Sequence, residues 1–100
     1  MFALTGFQRD ILYASAELTH PSGQDIKEHL IEITSLSDVN HGRLYPNLDV
    51  LVERGYLEKG DLDRRTNYYA LSEKGEAAIR ERRMWEDAHL EETNQMGPFG

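Results

Sequence analysis

Arg43 and Asn47 are the residues whose types and spacing point most directly to a chemistry. Four residues apart on a helix, they would leave the same edge one turn from each other. An arginine fork matches the two acceptors on a guanine edge, and an asparagine amide matches the acceptor and donor on an adenine edge. At 100° per residue Val50 and Arg54 continue that stripe, while Leu44, Leu48 and Leu51 fall on another face. His41 sits in the first turn, in reach of a base or a phosphate. Gly42 either permits close approach to a groove or packs tightly against a preceding helix. Tyr45 reads as a packing residue between helices, with its hydroxyl at the nucleic-acid backbone. A second basic point is Arg64-Arg65, followed by Thr66-Asn67. Adjacent arginines suit a narrow A·T-rich minor groove, and the hydroxyl and amide suit phosphate oxygens. The competing reading pairs the two arginines with Asp61 and Asp63 in surface ion pairs, worth only ~0–1 kcal/mol.

Other chemistries find no constellation. His20, His29, His41 and His89 lack metal-ligand spacing. Asp61-x-Asp63 opens like a calcium loop, but Arg65 and Thr66 replace the acid and glycine that such a loop requires. There is no glycine-rich phosphate loop and no Gly-x-Ser-x-Gly, and no nucleophile, base and orienter can be assembled. An enzyme, a catalytic residue, a metal and a cofactor are therefore not expected. The chain has no cysteine, which excludes disulfides, thiol redox sensing and thiolate zinc sites. No apolar run approaches the ~20 residues of a membrane span, and Met1 to Gly6 lacks a basic segment leading into an apolar one. A cytoplasmic protein is the expectation.

Local signals say which elements would carry these residues. Thr5 and Gln8 form a capping box ahead of Phe7, Ile11, Leu12 and Leu18, predicting a first helix over Thr5–Leu18. His20-Pro21 stops it. Ser22 and Asp25 form a second capping box, and a second helix runs to about Glu32 with Ile26, Leu30 and Ile33 inward. On this helix Ser22, Gln24 and Lys27 are expected to contact phosphates. Thr34 to Asp38 is the turn. Asn40 caps a third helix that ends at Gly55, with Pro46 bending it near its start. Tyr56–Lys59 and Thr66–Leu71 then read as two strands of one hairpin, because the period shifts and aromatic and β-branched residues concentrate. Ser72 caps a fourth helix to about Glu92, roughly 30 Å long. Thr93–Gly100 is expected to fray. Three helices, a two-stranded wing and a long helix make a mostly α fold of the winged helix-turn-helix type. Residues 1–71 would bind DNA, and 72–92 would form the dimerisation helix of the same unit.

At 100 residues the chain has room for one domain, and a domain this small gains from dimerisation. Its 11 basic and 18 acidic residues give a net charge of −7, and eight of the basic residues are arginine. Acidic excess with arginine over lysine suits the cytoplasm of salt-accumulating microbes, where carboxylates hold water and cations. Binding to DNA normally weakens with salt through counterion release. At molar salt, however, repulsion is screened within ~3 Å, so the local basic patch of Lys27, Arg43, Arg64 and Arg65 outweighs the global charge. Asp38, Asp49 and Glu53 would hold cations between the two surfaces. The expectation is cation uptake on binding, with affinity that falls little with salt or rises.

Asn40-His41-Gly42-Arg43-Leu44-Tyr45-Pro46-Asn47-Leu48, followed by Leu51-Val52-Glu53-Arg54-Gly55-Tyr56-Leu57, resembles the recognition helix of the PadR-like transcriptional regulators. Arg64-Arg65-Thr66-Asn67-Tyr68-Tyr69-Ala70-Leu71-Ser72-Glu73-Lys74-Gly75 is similar to that family's wing and helix start, and Ser22-Gly23-Gln24-Asp25-Ile26 to the opening of its second helix. The resemblance covers about residues 4–90. It departs from many members in having a single C-terminal helix, as the short subgroup does, and its acidity resembles haloarchaeal versions. The resemblance implies a DNA-binding repressor or dual regulator, dimeric through its terminal helices, on double-stranded DNA.

The fourth helix carries apolar residues on two sides. Ala77, Ala78, Met84, Trp85 and Ala88 span about 120°, with Ile79 and Leu90 nearly opposite. One side would serve the chain and the other a partner, with Trp85 as anchor and Phe2, Leu4, Phe7 and Ile11 of the first helix joining the interface. Two-fold pairing would set two recognition helices about one DNA turn apart on a roughly palindromic operator. Two alternatives remain open at this level: a winged-helix module that binds only protein, and a sensor with a ligand between the first and fourth helices.

Overall fold

The computed structural model describes residues 4–34 and 38–95, with side chains through residue 89. The expected turn at 35–37, Phe2, the Leu90 side chain and residues 96–100 lie outside the described residues. The order is α1 (Gly6–Ala16), α2 (Gly23–Thr34), α3 (His41–Glu53), β1 (Leu57–Asp61), β2 (Asn67–Leu71) and α4 (Glu73–Gln95). This is the winged-helix arrangement.

The ends of these elements follow from local chemistry. Thr5 and Gln8 form a complete capping box on α1. Ser22 and Asp25 exchange the same pair of hydrogen bonds at the start of α2, both 3.0 Å. Asn40 caps α3 by accepting from the Gly42 N–H at 2.7 Å. Its far end is a Schellman turn: Tyr56 N–H reaches the Leu51 carbonyl and Gly55 N–H the Val52 carbonyl. Gly55 takes the required left-handed conformation at φ 83°. Pro46 lies inside α3, which continues through it. α1 ends two residues before the expected Leu18, because the chain must turn at His20, a non-glycine residue at φ 46°. α4 runs past the expected Glu92 to Gln95.

The wing pairs Leu57 with Leu71 through to Asp61 with Asn67, antiparallel. A third segment joins it that the sequence did not suggest. Ser22 bridges to Tyr68, and Tyr69 N–H donates to the Pro21 carbonyl at 2.7 Å. The loop before α2 therefore lies on the wing and fixes their relative position.

Ile11, Leu12, Ile26, Leu30, Leu44, Leu48, Leu51 and Leu57 are fully buried in one core, closed on the wing side by Tyr69. Helices 1 to 3 each contribute the stripe expected from their spacing, except that Ile33 faces outward at 42% exposure. Ser72 joins α4 to this body: its hydroxyl donates to the Gly55 carbonyl and accepts from the Gly75 N–H.

Candidate nucleic-acid interface

The N-terminal turns of α3 are exposed at His41, Gly42 and Arg43. The Arg43 guanidinium lies 4.0 Å over the Phe7 ring. Stacking uses the face of the fork and leaves its in-plane N–H donors pointing outward. His41 stacks on Tyr45 with centroids 4.3 Å apart. These two contacts hold both exposed polar side chains of the first turn against rings.

Asn47 requires a correction. Its carboxamide does not stand clear on the outward stripe. Oδ1 accepts from Gln8 Nε2 at 2.9 Å, and Nδ2 donates to the Arg43 carbonyl at 2.7 Å. Helical spacing placed Asn47 beside Arg43, but it carried no information on the α1 residue that captures its amide.

Gly42 is corrected on one of its two options. It does not pack against α2, since a Cβ there would meet only the Asn40 side chain, at 3.1 Å. That close packing belongs to Gly23, where a Cβ would stand 2.6 Å from Tyr45 Cζ. Tyr45 is half-buried across the α2 start, edge-on to Tyr69 at 6.5 Å, which fits its expected packing position. Burial, then the Asp49 and Tyr45 groups, raise the Tyr69 phenol above its ordinary pKa.

A cleft of about 220 Å³ opens between the N-terminus of α2, Tyr45 and the tip half of β2. It is lined by Ser22, Gly23, Gln24, Tyr45, Arg65, Thr66, Asn67 and Tyr69. The fold thus gathers six of the residues singled out from sequence. The start of α2 lies beside them with the positive end of its dipole, and its capping box already pairs the Ser22 and Asp25 N–H groups. Lys27 stands apart and pairs with Asp38 at 3.5 Å, an exposed contact of small worth.

At the wing tip Asp63 accepts from the Arg65 and Thr66 N–H groups at 2.9 and 3.0 Å. Those bonds, the Arg65 one foremost, hold its carboxyl below the usual aspartate range. Its carboxylate therefore shapes the turn, and among the described residues neither Arg64 nor Arg65 forms an ion pair. Both arginines are exposed.

The expected intersubunit patch is narrower than its residue types suggested. Leu4, Ile11 and Ala78 are buried within the protomer, because α1 packs on α2 and α3 while α4 packs on α1 and β2. Phe7 is half-buried beneath Arg43. Ala77, Met84, Trp85 and Ala88 are exposed, Met84 at 72% and Trp85 at 40%. Trp85 carries the Arg82 guanidinium on one side at 4.4 Å and the His89 ring at 3.8 Å. Glu76–Arg80 and Arg82–Glu86 form ion pairs one turn apart, at 2.7 and 3.1 Å.

No group of histidine and carboxylate side chains among the described residues is arranged to hold a metal ion, and no described helix is long and apolar enough to cross a membrane.

Comparison with known proteins agrees with this fold. Residues 11–81 match the model of the transcriptional regulator PadR-like family. Among solved structures, the complex structure of hsRosR-S1 is similar at 44% identity, covering 88% of this chain and 77% of that one, with a TM-score of 0.82. RosR of H. salinarum grown from NaBr is similar at 45% identity, with 86% and 76% covered and a TM-score of 0.80. A MarR-family transcriptional regulator from Rhodococcus sp. RHA1 shares the fold at 18% identity, with 95% and 65% covered and a TM-score of 0.67. No curated protein matches significantly.

Proposed function

The chain belongs to the PadR-like family of transcriptional regulators, a DNA-binding family of winged-helix fold, and from that premise we propose that it binds operator DNA as a homodimer and represses, or both represses and activates, the genes beside it. Its action is on DNA in the cytoplasm and involves no catalysis. Each α3 enters a major groove N-terminus first, with Arg43 and His41 at base edges. Arg64 and Arg65 reach the flanking minor groove. Ser22, Gln24, Thr66 and Asn67 hold a phosphate in the cleft between α2 and the wing.

The observation that carries this reading is the cleft. Residues more than forty positions apart in sequence converge there on one polar, concave surface beside an exposed helix start. A phosphate seated there would use the helix dipole and an arginine together. A module that binds only protein has no need of this arrangement next to two exposed wing arginines.

Pairing through the exposed face of α4 around Met84 and Trp85 gives the two-fold symmetry that a palindromic operator mirrors. The acidic remainder of the surface, with Asp49 and Glu53 exposed on α3, favours a saline cytoplasm and cations at the contact. The test is a duplex selected by the protein from a random-sequence pool in molar KCl, then footprinted. Two protected half-sites related by a two-fold and one helical turn apart support the reading. Failure to enrich any sequence refutes it.

A further inference from the structure

Gln8 is 7% exposed, a buried polar side chain beside the apolar core. Its carboxamide is used at both ends. Oε1 accepts from Thr5 N–H at 3.1 Å, closing the α1 cap, and Nε2 donates to Asn47 Oδ1 at 2.9 Å. Asn47 in turn donates to the Arg43 carbonyl at 2.7 Å. Three hydrogen bonds thus run from the cap of α1 to the backbone of α3 at the residue expected to read a base. The neighbouring α1 residue, Phe7, supports the side chain of that same Arg43.

We propose that Gln8 is a positioning residue for DNA reading: through Asn47 it sets the rotation and tilt at which α3 presents Arg43 and His41. The inference rests on the DNA-binding reading above and deepens it.

The physical case is directional. Leu44, Leu48 and Leu51 hold α3 to the body by apolar contact, which is non-directional and tolerates small slides and rotations. A hydrogen bond does not, because it weakens steeply as its angle opens. A capping box needs only an acceptor at the position of Gln8, and glutamate supplies that equally well. The amide N–H is the extra feature, and its one partner is on α3. A partly buried hydrogen-bond network of this kind favours one arrangement among several of similar packing energy. Asn47 then contributes as a strut. Turning it toward an adenine would leave the buried Gln8 amide without its acceptor.

The test compares affinity for the duplex enriched by the parent protein with affinity for a scrambled duplex of the same composition. Gln8→Met keeps the shape and loses both hydrogen bonds. Gln8→Glu keeps an acceptor for the α1 cap and puts a charged oxygen in place of the donor toward Asn47, so it tests the link even if the methionine variant fails to fold. Thr5→Val is the control, since it removes a cap bond and leaves the Gln8–Asn47 link in place. The expected result is a specific-to-scrambled ratio reduced about tenfold in both Gln8 variants, the scale of one lost buried hydrogen bond. Affinity for scrambled DNA should stay within about twofold, because no phosphate contact is removed, and Thr5→Val should lower the melting temperature with the ratio unchanged. A parental ratio in folded Gln8→Glu overturns the positioning role and leaves DNA binding standing. A parent that enriches no duplex overturns both.

Discussion

The joint between wing and α4 is where a single methyl group should do the most measurable harm. Gly75 lies in the first turn of α4, against the strand that returns from the wing. A Cβ there would stand 2.7 Å from Leu71 Cδ1 and 3.2 Å from the Tyr56 carbonyl carbon, and closer still to that carbonyl's oxygen. Carbon pairs are comfortable at about 3.5–4.0 Å, so the Leu71 contact alone is short by about 1 Å. Leu71 can rotate, but the Tyr56 carbonyl cannot, because it is backbone and accepts the Ser72 N–H at 3.1 Å. Against this, alanine favours a helix interior over glycine by at most about 1 kcal/mol. Overpacking costs about 1–3 kcal/mol, so Gly75→Ala should destabilise the fold by about 1–2 kcal/mol. For a domain of this size that lowers the melting temperature by about 5–15 °C, readable by circular dichroism. Because α4 would also swing relative to the wing, the spacing of half-sites selected by the dimer should broaden. An unchanged or raised melting temperature would show that the joint is looser than described and would refute this reasoning.

Other perturbations test separate parts. Trp85→Ala together with Met84→Ala should shift the protein from dimer to monomer in sedimentation while its circular dichroism stays folded, since both side chains face outward; an intact dimer would move the interface elsewhere. Replacing Arg64 and Arg65 together by alanine should weaken binding most at sites with A·T-rich flanks, and an equal loss on all flanks would make them plain phosphate contacts. Raising KCl through the molar range should leave operator affinity nearly level or increase it, whereas a steep log–log decline would rule out cation uptake. Asp63 has a depressed folded-state pKa, so its contribution to the wing turn is full above the ordinary value near 3.8 and is lost only as pH falls through the lower folded value. The Arg65 and Thr66 amide resonances should therefore titrate below pH 3.8, and a midpoint at or above it would contradict the hydrogen bonds seen there.

Much of the scaffold was legible because it is locally encoded. The capping residues Thr5, Ser22, Asn40 and Ser72 each act within four positions of themselves, and Gly55 ends α3 by its own backbone freedom. The leucines of α3 declare their face by spacing alone. The strands were misplaced by one or two residues because Tyr56 has strand-like character but is used in the turn that closes α3. What stayed hidden was whatever depends on a partner far along the chain. Nothing near Asn47 announces Gln8, and nothing near Tyr45 announces Gly23. Leu4 precedes α1, Ile11 and Ala78 lie on amphipathic helices, and spacing cannot say whether such a face meets its own core or another copy. The cleft at the α2 start was half visible: its residues were named one by one, but the pairing of Pro21 and Ser22 with β2 that brings them together is a tertiary fact.

The central claim is that the outward edge of α3 reads base pairs, and Arg43→Ala tests it most directly. The substitution removes an exposed fork that forms no hydrogen bond or ion pair among the described residues, so folding and pairing should survive. With those verified by circular dichroism and sedimentation, affinity for the selected duplex should fall about tenfold or more, the worth of one bidentate base contact. The preference for guanine at one position of each half-site should disappear. A folded, dimeric Arg43→Ala that retains both the parental affinity and the parental base preference would contradict the account.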